Sequence, residues 1–163
     1  MSRMATKALL NAIKNDTVKN RCNRMLLIFL YDSVALVQES ADLMTGDIHI
    51  DGKHPFITLT GKGDKTRNVP LTQKTALHLK QYLKEFHKFD LLEAPLFYSK
   101  RDGKPQPLST DSISIILKKA AELAREACPD IPRDVYCHLI RNLPKNKIQT
   151  FRAKLRKQWR LAS

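Results

Sequence analysis

A change in hydrophobic period at Asp47 restricts the possible folds of this chain more than any other feature. Upstream of it, apolar residues recur every three or four positions. From Asp47 to Leu71 they recur every second position, and beyond Thr72 the helical spacing returns. Ile48 and Ile50 alternate with polar neighbours, Ile57 and Leu59 do the same, and residues 67–71 give a shorter third strand. Asp51-Gly52 is a tight-turn dipeptide between the first two strands, and Gly61 to Asp64 makes the second turn. Pro70 cannot donate to a ladder, so the third strand is expected to end there or to lie at an edge. Three short strands on short turns predict a small antiparallel sheet.

Helices surround this segment. Leu9, Leu10 and Ile13 share one face of a helix over residues 4–14, which Asn15-Asp16-Thr17 breaks. Residues 22–32 are apolar nearly all round, which suits a helix buried in a core, and a short helical turn resumes through Gln38, Glu39 and Ala41. Thr72 can cap a helix over 73–87 with Ala76, Leu79, Leu83 and Phe86 on its inner face. Residues 88–108 read as irregular, with a short strand at Leu96-Phe97-Tyr98 before an Asp102-Gly103 turn. Ser109 or Thr110 then caps a helix that runs to about Ala127, and Pro129 and Pro132 stop it. Tyr136 to Arg141 reads as the start of another helix. The expected class is mixed α/β (α+β): mainly helical, with a small three-stranded antiparallel sheet on one edge.

Charge points to a polyanionic partner. The 163 residues carry 29 Lys and Arg against 16 Asp and Glu, a formal +13, and such an excess most often meets nucleic acid. The excess is uneven. Residues 141–163 hold eight basic and no acidic residues, which leaves +5 for residues 1–140. Cys22, Cys128 and Cys137 fit neither a disulfide framework nor a paired metal pattern, and Cys137 beside His138 gives only two ligands. The longest apolar run, Met25 to Tyr31, is too short to span a bilayer, and the N-terminus has no signal-peptide pattern. The expected setting is cytoplasmic, nucleoid-associated when bound to DNA, with no membrane partner.

Two local features can carry chemistry. Lys62, flanked by Gly61 and Gly63 at a hairpin tip, is held out from the sheet where it can reach a phosphate or an oxygen leaving one. Lys65 and Arg67 add charge beside it. A solvated basic turn is the plainer reading of that segment. His138 and Arg141, three apart on a helix, can address one ligand, and together offer donors to two non-bridging phosphate oxygens. Such a pair alone is weak, since a satisfied helical histidine is commoner.

The order of these features is far more specific than either alone. Residues 23–33, then Val37-Gln38-Glu39, Ala41-Asp42-Leu43 and Gly46-Asp47-Ile48 resemble the first conserved block of the tyrosine recombinases, the phage-integrase family. Gly61-Lys62-Gly63 through Val69-Pro70-Leu71 resembles that family's lysine hairpin. Pro95-Leu96-Phe97, Leu108-Ser109 and Cys137 to Arg141 follow in family order, so the similarity covers about residues 5–141. The resemblance implies a DNA breaking-rejoining enzyme fold and strand exchange without metal or cofactor, through a tyrosine that forms a phosphotyrosyl link. It assigns Lys62 as the proton donor, His138 and Arg141 as the phosphate-binding pair, and Glu39 as the acid that supports a first arginine. Lys65 and Arg67 become DNA-binding residues. The partners it implies are double-stranded DNA and other recombinase subunits.

Two departures qualify that assignment. The first arginine should stand three residues before the acid, and that position is Leu36. Loss of one well-placed donor costs about 10²–10³ in rate. The four tyrosines, Tyr31, Tyr82, Tyr98 and Tyr136, all precede Arg141, so none stands where the nucleophile is expected. Residues 142–163 are unrelated to the family, and the reading is of a partial catalytic domain over 1–141, truncated by a frameshift or rearrangement, with a basic tail. Phe151, Leu155 and Trp159 recur every four residues in that tail, which also fits a retained basic amphipathic helix. The segment before the first block is expected to be too short for the separate core-binding domain of family members, and weak, salt-dependent DNA binding without cleavage is expected. The alternatives are a residual recombinase, and a basic nucleic-acid-binding module acting on recombinase assemblies or on RNA.

Overall fold

The computed structural model describes residues 2–88 and 93–134. Helix α1 spans Arg3–Ala12, capped by the Ser2 hydroxyl, which accepts the Ala5 N–H at 3.1 Å. It buries Leu9 and Ile13. Helix α2 spans Val18–Ser33 and begins four residues ahead of the apolar run, because the Thr17 hydroxyl accepts the Asn20 N–H and starts a polar first turn. Met25, Leu26, Leu27, Phe29 and Leu30 are buried on it. The helix ends at Val34, whose φ of 54° lies in the left-handed region. A β-branched residue rarely enters that region. Helix α3, Val37–Ala41, follows after the linking residues Val34, Ala35 and Leu36.

Strands β1 (Ile48–His49), β2 (Phe56–Thr60) and β3 (Thr66–Pro70) form an antiparallel sheet in that order. The pairing sets Ile57 against Val69 and Leu59 against Arg67. The expected tight turn at Asp51-Gly52 is absent. Strand β1 stops at His49, and Gly52 does not take a positive φ. One further step of the β1–β2 register would set Pro55 opposite Ile50, and proline has no N–H to extend the ladder. Strand β3 ends at Pro70 on the sheet's edge, as its missing donor requires.

Helix α4, Gln73–Phe86, starts at Thr72, whose hydroxyl accepts the Thr75 N–H. The Asp32 carboxylate, at the end of α2, also accepts the Thr72 N–H at 2.9 Å and its hydroxyl at 3.1 Å. Tyr82 is buried on α4 beside Ala76 and Leu79, and its hydroxyl donates to the Leu96 carbonyl at 2.8 Å. Leu83 and Phe86 are half-buried. Leu96 and Phe97 are core residues ahead of a strand rather than part of one. Strand β4 is Tyr98–Arg101, and it pairs with an unexpected β5, Lys104–Pro107. Asp102 and Gly103, both at positive φ, form the two-residue turn between them. Helix α5, Thr110–Ala127, is capped by Ser109 and buries Ile113, Leu117, Ala120, Ala121 and Ala124.

Helix α1 packs on α5, α2 on α4, and α3 on both α5 and β2. The inner face of the sheet closes this core with Ile57, Leu59 and Val69, and Phe29 meets Phe97 edge to face at 5.3 Å. The result is the expected mixed α/β architecture: helices with a three-stranded antiparallel sheet at one side. Among the described residues, no helix is long and apolar enough to cross a membrane. The helix expected from Tyr136 lies outside the described residues, as does the boundary between residues 1–141 and the tail.

Candidate nucleic-acid interface

The β2–β3 hairpin carries most of the candidate site. Gly61 donates its N–H to the Lys65 carbonyl at 2.8 Å, closing a loop whose centre, Lys62–Asp64, makes a 3₁₀ turn. Gly63 at φ 73° and Asp64 at φ 55° reverse the chain. The positive φ explains the second glycine, since a side chain there would be strained even though open space surrounds it. Lys62 and Lys65 are exposed on this loop, and among the described residues neither has a carboxylate partner within salt-bridge distance. The lysine therefore stands where the glycine pattern implied, at the tip and directed away from the core.

Arg67 behaves differently from its two basic neighbours. Its guanidinium grips the Glu39 carboxylate with two parallel bonds. Nη1 donates to Oε1, and Nη2 donates to Oε2 at 2.9 Å. Glu39 is only 4% exposed, and its Oε2 also accepts the Leu36 backbone N–H at 2.7 Å. A buried carboxylate needs donors in place of water, and here a bidentate guanidinium and a backbone N–H supply them. The Arg67 side chain is 49% exposed, so the pair spans from the core to the surface.

From the sequence alone Glu39 is the support of a first arginine expected at position 36, where Leu36 stands, and Arg67 is one charge among three on a hairpin. The structure brings those two residues together. A signal for this was present in the strand pattern. Val69 faces the core, and a period of two puts Arg67 on the same inner face, opposite Leu59. An arginine on the inward face of a strand requires an internal anion. Leu36, in the position expected for an arginine, is the N-cap of α3 and 44% exposed, an apolar side chain open to solvent beside the ion pair.

His138 and Arg141 lie outside the described residues, so their convergence with Lys62 stays an expectation. Cys137 lies outside them too. Cys22 is half-buried and Cys128 buried, and both are free thiols. No cluster of metal-binding side chains occurs among the described residues.

Comparisons with known proteins place the geometry in context. A family model described as the phage integrase family matches residues 1–143. The putative integrase/recombinase y4rD of Sinorhizobium fredii is 28% identical over 104 residues, covering 64% of this chain and 37% of that protein. Tyrosine recombinase XerD of Chlamydia muridarum is 37% identical over 100 residues, covering 58% of this chain and 32% of that protein. This chain thus spans about a third of the length of these relatives. Among solved structures, the XerA recombinase superposes with a TM-score of 0.68 at 20% identity, over 86% of this chain and 47% of that one. The XerH site-specific recombinase bound to its difH substrate gives 0.66 at 20% identity, over 86% of this chain and 40% of that one. At that identity the likeness is one of fold.

Proposed function

The chain belongs to the phage integrase family, and from that premise we propose that it binds double-stranded DNA through the β2–β3 hairpin and does not cut it. The observation that carries this reading is the pair of exposed ammonium groups of Lys62 and Lys65 on one glycine-hinged tip, with no carboxylate neutralising them among the described residues. A lysine held out in this way is a point charge free to meet a phosphate. The known partner of the XerH neighbour, its difH substrate, is consistent with the same partner class here. His138 and Arg141 are assigned to the same phosphate on the resemblance of their motif, with the protein working on nucleoid DNA and alongside other recombinase subunits.

Inactivity in cleavage follows from position 36. A phosphoryl centre under attack gathers negative charge, and donors aimed at it act only if they are present and preorganised. Leu36 places an apolar side chain where the helix should offer a guanidinium. With no donor from that helix, a tyrosine supplied by a partner subunit would still meet an under-stabilised transition state.

Two measurements test the reading. A mobility-shift titration with a duplex of about 20 base pairs should give binding that weakens steeply with salt, and Lys62→Gln with Lys65→Gln should lower the log–log salt slope by about two. A nicked suicide duplex should yield no covalent protein–DNA adduct. An adduct would overturn the proposed inactivity, and absence of any shift at low salt would overturn DNA binding itself.

A further inference from the structure

Glu39 and Arg67 are 28 positions apart and come from different elements, yet they form one fork-to-fork unit at the base of the basic hairpin. Arginine has five N–H donors. Two are spent on Glu39, and no other partner is found for the rest among the described residues. One end of the guanidinium is therefore anchored on a buried anion, while the side chain as a whole is half exposed. Fixing one edge of a guanidinium removes the rotational freedom that a surface arginine must give up when it grips a ligand. An isolated structural ion pair would not need this exposure, nor two unpaired lysines on the same hairpin.

We propose that Arg67 is the phosphate-gripping arginine of this surface and Glu39 its positioning residue. Leu36 supplies no guanidinium from the helix, and Arg67 offers one from the strand that holds a bound phosphate without restoring the transition-state donor missing at position 36. The two routes meet at one carboxylate: Glu39 Oε2 accepts both the Leu36 N–H at 2.7 Å and Arg67 Nη2 at 2.9 Å. This inference rests on the DNA-binding reading above and deepens it by naming the group that fixes one phosphate in place.

The test is equilibrium binding of the full chain to a plain duplex over a series of salt concentrations, with thermal melts to follow folding. Arg67→Gln should weaken binding about tenfold near 0.1 M salt and lower the salt slope by about 0.9, the signature of one lost phosphate contact. Adding Leu36→Arg to that variant should restore the slope and bring affinity back to within about threefold of the parent. Glu39→Gln should keep the slope, since the guanidinium charge stays, while affinity falls because its orientation is lost. A purely structural Arg67 would lower the melting temperature alone. Parental slope and affinity in folded Arg67→Gln would overturn the proposal. If that variant does not fold, Arg67→Lys carries the test, and parental affinity for it would overturn the proposal that an anchored guanidinium grips the phosphate. If the parent binds duplex and Lys62→Gln weakens it while the Arg67 variants do not, this inference fails and the DNA-binding reading stands. If the parent binds no duplex, both fail.

Discussion

At the scale of single residues, one side chain and one ion pair occupy positions that are costly to fill. Val34 holds φ 54° at the end of α2, where its N–H still donates to the Leu30 carbonyl at 3.2 Å. A β-carbon in that region costs about 1–2 kcal/mol. Val34→Gly should therefore raise stability by about 1 kcal/mol, less than the full strain because glycine also loosens the unfolded chain. A rise in the thermal midpoint checks this. The second case is the ion pair. Removing one partner leaves the other uncompensated, so Arg67→Gln should cost about 2 kcal/mol of stability, less than a fully buried pair because Arg67 is half solvated. Chemical denaturation measures it. The glycine spacing puts Lys62 and Lys65 at a hairpin tip and the helical spacing puts Glu39 on a short helix, but neither pairs Glu39 with Arg67. Spacing locates residues along an element, whereas a contact between elements depends on how the sheet and α3 pack.

Among the elements, those with strong periodicity were the legible ones. The capped helices α4 and α5 begin where Thr72 and Ser109 indicate, and β2 and β3 follow their alternating pattern. Strand β5 is not legible in the sequence because Lys104–Pro107 is exposed throughout and has no apolar alternation. Only the Asp102-Gly103 turn announced it. Helix α2 starts ahead of the apolar run because its first turn is polar and set by the Thr17 cap. The C-terminal end of α4 also yields a pH prediction. The Leu96 carbonyl accepts from both the Tyr82 hydroxyl and His87 Nε2, the latter at 2.9 Å. Burial pushes the His87 pKa below its ordinary value, only partly opposed by the bond to Leu96, and burial lowers His78 as well. In the unfolded chain these imidazoles take up protons near pH 6.5, which the folded state resists. Stability should thus be complete above that pH and decline as pH falls towards and through the lowered folded values. Thermal midpoints between pH 7.5 and 5 should show the decline, and His87→Gln should flatten part of it.

For the whole molecule, charge was the most legible property and the least informative about mechanism. The formal +13 is weighted towards residues 141–163, which contain eight basic residues, while the described hairpin holds only a few. Dispersed basic charge accelerates encounter with a polyanion, and a fixed contact slows departure. Replacing Lys154, Arg156 and Lys157 with glutamine should therefore lower mainly the association rate on duplex DNA. Replacing Lys62 and Lys65 should raise mainly the dissociation rate, and stopped-flow mixing separates the two. The bond from Asp32 to the cap of α4 bears on how that contact works. Thr72 lies two residues beyond the end of β3, so this carboxylate bolts the root of the hairpin to the end of α2. In the proposed complex the glycine-hinged tip would act as a cantilever, stiff where it is moored and compliant where it meets the duplex. Loosening the mooring with Asp32→Ala should spread bending along the whole arm, so that distance distributions measured from the tip to α4 broaden although no charge near the tip has changed.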